Sequence, residues 1–508
     1  MYKFPKNNIM ENKSLNIAAS NLPALEQISP DNYDPNKPSI THDIIVQLFE
    51  PLFKYDNNYH KKQSAFSLND LNGLLGSSIS TNKDGTKYKI ELKETYNAYG
   101  LQITSSDVLA SWLHAYEKKQ IGRWVAMMGS VPRQKSFMNI LDKNSLEFNL
   151  EEPNLLFPHL LTMMVPPIVS KHFFSGNSDD IYNHGFGPYK IKKFDSNHIQ
   201  LISNTKHWNQ KTHFNKINYF LIPNEHRIEA LLKGEIDLIF NPTQKEIIES
   251  MNHKNTAMYS AQGNTRIALQ ISENTKSPID KNIRKAISLI IPYKKIIKSI
   301  YSGHATTWKG LVPSSVRFAR EFDLGEENIS LAKSLMNKTD YKNLSYNLIV
   351  DDSSKECIEI ASIIKKAVST INIKINIQLM PRKEFKSKQM TNNFEIALDK
   401  DLYRCNEIGY VLPHDFGDKK HGITNWINYN NEEVNLLFAK AKKTIDYDER
   451  IKMYDNVQDI LVNELPWIPI VQPEFNILHK NTIHGFNWEA RLSGYPRYSD
   501  LIFQKNNN

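Results

Sequence analysis

The sequence predicts an α/β protein assembled from several lobes. Three observations carry that reading. Runs with a β-strand pattern alternate with amphipathic helical runs along nearly the whole chain, an order that gives mixed lobes rather than a bundle or a sandwich. The length of 508 residues suggests roughly three domains at about 150 residues each. The composition, 40% hydrophobic, 10% aromatic and 23% charged, provides enough apolar surface for substantial cores.

Each element has its own signal. "LNIAASNLPALEQISPDNYD" (15–34) predicts a short strand and then a proline-rich loop. "THDIIVQLFEPLFKYD" (41–56) carries Ile44, Ile45, Leu48 and Phe49 at helical spacing. "KDGTKYKIEL" (83–92) is a turn and then a strand with Tyr88, Ile90 and Leu92 on one face. "TSSDVLASWLHAYEKK" (104–119) opens on capping residues and sets Val108, Leu109, Trp112, Leu113 and Tyr116 in one stripe. "SLEFNLEEP" (145–153) alternates as a strand, and "GFGPYKIKKF" (185–194) with "HIQLISN" (198–204) predicts a hairpin. Residues 217–240 read strand, capped helix, Gly234, strand.

Two consecutive helices follow at 283–291 and 292–303, with Pro292 suited to a first turn and Gly303 to a C-cap. A β-α-β-β region comes next: strand 344–352, a helix to about 369, then 371–380 and 394–398. Helices over 431–445 and 448–464 and a strand at 467–471 complete the pattern.

Several function classes fall away. The net charge is +8, but the basic residues are scattered among 55 acids with no run of five, so no nucleic-acid or membrane face is defined. Two cysteines, Cys357 and Cys405, are too few for a disulfide framework or a thiolate zinc site. No stretch reaches the ~20 apolar residues that span a bilayer; "NLLFPHLLTMMVPPIV" (154–169) is broken by Pro158, His159 and Pro166. The N-terminus lacks the apolar core of a signal peptide, so either the protein stays inside or a leader is absent from this chain. There is no HExxH, no G-x-S-x-G, and no phosphate loop, since "GFGP" lacks the lysine and Pro188 removes an amide donor. Cys405 has no nearby histidine base. The expectation is no enzyme, no cofactor and no metal.

Ordered motifs point elsewhere. "ISPDNYDPNKPSITHDIIVQLFEPLFKYD", "ISTNKDGTKYKIELKETYNAYGLQITSSDVLASW", "GPYKIKKF" with "NTKHWN", "LLKGEIDLI", "IRKAIS" and "ELPWIPIV" follow one another from about residue 14 to 503. In that order the chain resembles the oligopeptide-binding proteins, the family 5 (peptide/nickel) extracellular solute-binding proteins of ABC importers.

The resemblance implies a two-lobed periplasmic-binding-protein fold (type II, cluster C) with an extra third domain. Lobe I would comprise 1–47, 184–263 and 479–508, the extra domain 48–183, and the other lobe 264–478. The protein would bind a peptide-like or anionic small ligand by closing its lobes and pass it to an ABC permease. It would be a monomer, periplasmic or extracytoplasmic, without nucleic-acid partners. A metal-chelate (nickel-type) receptor and a cytosolic sensor on the same fold are the alternatives.

Site residues follow from the same resemblance. "FEIALDKDLYRCNEI" (394–408) is similar to the family segment "FDhA.aGW.ADYneP", whose aspartate pairs with a peptide's α-amino group. That alignment puts Arg404 at the aspartate, Asp401 at the tryptophan, and Leu402 and Tyr403 just before the anchor. The reversed charge would repel an ammonium group and suit a carboxylate or phosphate. Arg404 is therefore expected to bind an anionic group, with internal pairing to Glu407, Asp401 or Asp399 as the other reading. Arg266, Arg123, Trp124 and Trp426 are further ligand-binding candidates, each with a packing or pairing alternative.

Overall fold

The computed structural model describes residues 13–29, 39–56, 59, 65–117, 137–164, 166–174, 181–210, 212–263, 265–273, 279–322, 327–339, 344–403, 407–418, 424–487 and 496–504. A 12-stranded mixed sheet runs through most of the molecule. One half centres on Lys13–Ala19, which pairs in parallel with Phe214–Leu221 and Leu238–Phe240. Its Leu15, Ile17 and Ala18 are fully buried, as expected of a strand covered on both faces. The hairpin Tyr189–Phe194 and His198–Ser203 extends this half antiparallel.

The other half centres on Ser345–Asp351, parallel to Lys374–Met380 and Ile396–Leu402. Thr265–Ile271 runs antiparallel to Ile396–Leu402. Helix Lys355–Val368 buries Cys357, Ile360, Ala361, Ile364 and Val368 against this half, the i, i+3, i+4 stripe that a core-facing helix requires.

Trp467–Lys480 joins the halves. Its beginning pairs with Thr265–Ile271 and its end with Thr256–Gln262 and Leu238–Phe240. The sequence predicts only 467–471 as strand, because Gln472, Pro473 and Glu474 end the apolar run. The pairing nevertheless continues, Pro473 lying opposite Ala305.

A separate four-stranded antiparallel sheet orders Gly76–Thr81, Lys87–Leu92, Ser145–Asn149 and Met138–Ile140. Helix Ser105–Glu117 covers it with Val108, Trp112 and Ala115, the Trp112 ring lying 5.2 Å from Phe148.

Other differences from the expected elements have local causes. The helix expected over 41–56 is Ile40–Leu48, capped by Ser39. Pro51 disfavours helical backbone at Glu50, and Phe53–Tyr55 pairs instead with Leu71–Gly73. Pro292 is the N-cap of Tyr293–Tyr301 rather than part of its first turn, and Ser302 takes the left-handed C-cap conformation just before Gly303. Helix Ile408–Phe416 contains Pro413, which hides it from a pattern search. Among the described residues no helix is long and apolar enough to cross a membrane.

Candidate functional site

Residues after Leu238–Phe240 in one half and at the end of Ile396–Leu402 in the other, with the connecting strands, line a cavity of about 520 Å³. Asn241, Pro242, Thr243 and Gln244 contribute from the end of Leu238–Phe240. Tyr301, Lys355, Glu356, Lys400, Asp401 and Leu402 contribute from the other half, and Gly263, Thr265, Pro473 and Glu474 from the connections. Clefts between lobes are where small-ligand sites usually form.

Local chemistry fixes these walls. Asn241 adopts φ 49°, a left-handed conformation asparagine tolerates. Thr243 and Glu246 form a reciprocal capping box. Glu246 also takes two hydrogen bonds from the buried Arg227, at 2.8 and 2.7 Å. Across the cavity, Asp351 accepts from the Ser353 backbone N–H at 3.0 Å and from Arg382 at 3.0 Å. That turn delivers Lys355 to the first turn of Lys355–Val368.

The lining charges are mostly matched. Lys400 and Glu356 are in close contact, and the Tyr301 hydroxyl donates to Glu356 at 2.8 Å. Burial works against both charges, yet their mutual attraction prevails, raising the lysine pKa and lowering that of the carboxylate. Glu474 accepts from Ser260 at 2.6 Å and lies 3.3 Å from His304. Lys355 is exposed, and among the described residues no carboxylate lies within ion-pair distance of it.

Behind the wall lies a dry charged cluster. Arg266 donates to the Tyr403 hydroxyl at 2.9 Å and to Asp399 at 3.3 Å, and sits 3.6 Å from Asp415 and 3.9 Å from Asp401. Its guanidinium lies 4.0 Å from the Trp467 ring centre. Tyr403 in turn donates to Asp415, and Lys386 donates to Asp399 at 3.1 Å. Burial opposes the charge on Asp399 and Asp415, but Lys386 and Arg266 outweigh it and hold both carboxyls below their ordinary range.

The candidates from sequence are thus distributed. Asp401 and Leu402 line the cavity. Arg266 and Tyr403 are buried beside it, their polar atoms engaged within the cluster. Trp426 is half-buried and packs on the neighbouring apolar core. Arg404, Arg123 and Trp124 lie outside the described residues. Sequence reasoning missed Lys355, Lys400, Asn241 and Tyr301. Only Lys355 had a local signal, as the first residue of a helix directly after a strand.

Comparison with known proteins gives a consistent result. The sequence model for bacterial extracellular solute-binding proteins, family 5 (middle) matches residues 70–404. The nickel-binding protein NikA of Staphylococcus aureus is 23% identical over 418 residues, covering 80% of this chain and 81% of that protein. The glutathione-binding protein GsiB of Escherichia coli is 22% identical over 502 residues, covering 92% and 90%. The fold also matches that of the periplasmic binding protein DppA from Helicobacter pylori, solved with the peptide STSA. Its TM-score is 0.74 at 19% identity, over 97% of this chain and 98% of that one.

Proposed function

Because the chain belongs to the bacterial extracellular solute-binding proteins of family 5, we propose that its interlobe cavity captures a polar small solute carrying a carboxylate or phosphate. As a member of that family it is the solute-binding component of an ABC importer, a receptor rather than an enzyme. Ligand bound between two lobes is stabilised by contacts to both, so capture and closure are one equilibrium.

Lys355 carries the reading. It faces the cavity at the N-terminal turn of a 14-residue helix, where the backbone dipole also favours an anion. Lys400 is already tied to Glu356, so among the described lining residues Lys355 is the lysine left for a ligand. Arg404 follows Tyr403 directly and is proposed as a second anion contact. The division into 1–47 with 184–263 and 479–508, 48–183, and 264–478 is part of the same reading, as are a monomeric state and an extracytoplasmic location beside a membrane permease.

Native mass spectrometry of the purified protein, followed by identification of what is released on denaturation, tests the proposal. A released solute with an acidic group is expected; one with a free amine and no acid contradicts it. A second reading, a metal chelate, draws on the nickel-binding relative. Among the described residues no cluster of three or more His, Cys, Asp or Glu is placed to hold a metal, so metal would arrive already complexed. Metal in the released fraction would favour that reading.

A further inference from the structure

The four-stranded domain meets the rest of the molecule on two sides, and they differ in how the chain connects them. On the side of the first sheet half, the chain itself passes through, near Phe49 and again at the bridge between Val169 and Gly185. There the buried Glu50 pairs with Arg497 and lies 3.0 Å from His207, while the Asn204 amide donates to the Tyr96 carbonyl at 2.7 Å. These ties make the domain and the first half one body.

The opposite face meets the second half, and among the described residues no chain connection runs between them. Among the described residues the chain crosses to the second half between Thr256–Gln262 and Thr265–Ile271 and along Trp467–Lys480. The contact is nonetheless dry. Tyr59, His159 and Glu407 are each 1% exposed, and Arg317 is 4% exposed. The Arg317 guanidinium lies 4.3 Å from the Tyr59 ring centre, and that ring stacks on Tyr55 at 4.3 Å. The Tyr59 hydroxyl donates to Glu407 at 3.5 Å, and His159 lies 4.0 Å from the same carboxylate. At the rim, Lys442 pairs with Glu152 at 3.3 Å. One apolar cluster runs from Leu52, Trp112 and Phe148 to Trp308, Phe416 and Trp467.

We infer that this face is a closure latch, made when the second lobe swings onto the four-stranded domain, so that residues outside the ligand cavity set part of the affinity. The inference rests on the reading that the lobes close on ligand. Its two components oppose one another. Apolar and aromatic burial favours contact. Glu407 resists it, because among the described residues one of its carboxylate oxygens is buried without a hydrogen-bond partner and desolvating a carboxylate is costly. Such a balance leaves the closed state accessible without locking it.

The test compares open and closed populations by single-molecule energy transfer, with dyes carried by unnatural amino acids at the exposed Lys83 and Lys383. The protein is first stripped of bound solute by reversible unfolding. Lys442→Glu sets two carboxylates across the rim and is expected to raise the open-to-closed ratio about two- to fivefold, the range of a surface ion pair. Adding Glu152→Lys restores the pairing and should return the parental ratio. Glu407→Gln removes the desolvated charge and should shift the ratio towards closed. Both rim positions are exposed, so misfolding does not cloud that arm. Parental ratios in all three variants, with only the melting temperature altered, overturn the latch and leave a fixed packing face. A parent whose transfer distribution is identical before and after stripping overturns the closure reading itself.

Discussion

Arg266 is 2% exposed and serves Tyr403, Asp399, Asp415 and Asp401 together. Removing one partner of a buried ionic group leaves uncompensated charge and typically costs about 3–5 kcal/mol. Arg266→Gln should therefore lower unfolding stability by about that amount at neutral pH, read by urea titration. The sign of the pH dependence follows from the depressed carboxyls. In the parent, Asp399 and Asp415 titrate below their unfolded value of 3.8. Their contribution is complete above that value and is lost as pH falls through the folded pKa. In the variant the same carboxyls, less compensated, take up protons more readily, so its deficit should shrink on acidification from pH 7 towards about 4.5. A deficit that stays constant over that range would contradict this account. At the cavity, Lys355→Ala and Arg404→Ala should each weaken the identified ligand by at least about 1.5 kcal/mol in calorimetry, the value of a lost charge-assisted bond. Unchanged affinity in either variant removes that residue from the proposed site. At this scale part of the wall was legible: the segment whose family resemblance singled out Asp401 and Leu402 is the end of a strand that lines the cavity. Lys400 is invisible in the same stretch, because its partner Glu356 is 44 residues away and pairing at that distance leaves no local trace.

Elements translate this chemistry into position. The helix Gln244–Ser250 begins at the cavity, and its start is fixed by Thr243, whose hydroxyl accepts from the Glu246 N–H. Thr243→Ala removes that cap and should cost about 1 kcal/mol. Thr243→Ser keeps the hydroxyl and should recover most of it; equal losses in both variants would show that the cap is not the cause. Helices with a clean stripe, such as Ser105–Glu117 and Lys355–Val368, were readable because spacing and capping agree. Ile408–Phe416 was not, since a proline near its end and a run of buried residues blur its period. Trp467–Lys480 shows a different limit. Its first residues look like a complete strand, and its continuation past Gln472 and Pro473 is imposed by pairing with Thr256–Gln262, a partner more than 200 residues earlier.

The molecule as a whole turns on those crossings, and Gln472 ties them together. It is 1% exposed. Its amide nitrogen donates to the Gly263 carbonyl at 2.6 Å and to the Ser315 hydroxyl at 3.0 Å. Its amide oxygen accepts from the Ser314 N–H at 3.2 Å and from the Gln262 side chain at 3.2 Å. One side chain thus links the strand that enters the second half, the strand that leaves it, and the segment at 314–315. A buried donor or acceptor stripped of its partner costs about 1–3 kcal/mol. Gln472→Ala leaves both the Ser314 N–H and part of the Gly263 carbonyl without partners, so unfolding stability should fall by that amount. Gln472→Glu keeps an acceptor for Ser314 but faces the Gly263 carbonyl with negative charge, and should be no better than alanine at pH 7. Because the tie spans the chain crossings between the halves seen among the described residues, loosening it should also broaden the opening motion. Hydrogen exchange at the Ser314 amide should accelerate in both variants, and the energy-transfer distribution between lobes should widen. Parental exchange at Ser314 alongside lost stability would mean that Gln472 supports the fold without governing the hinge.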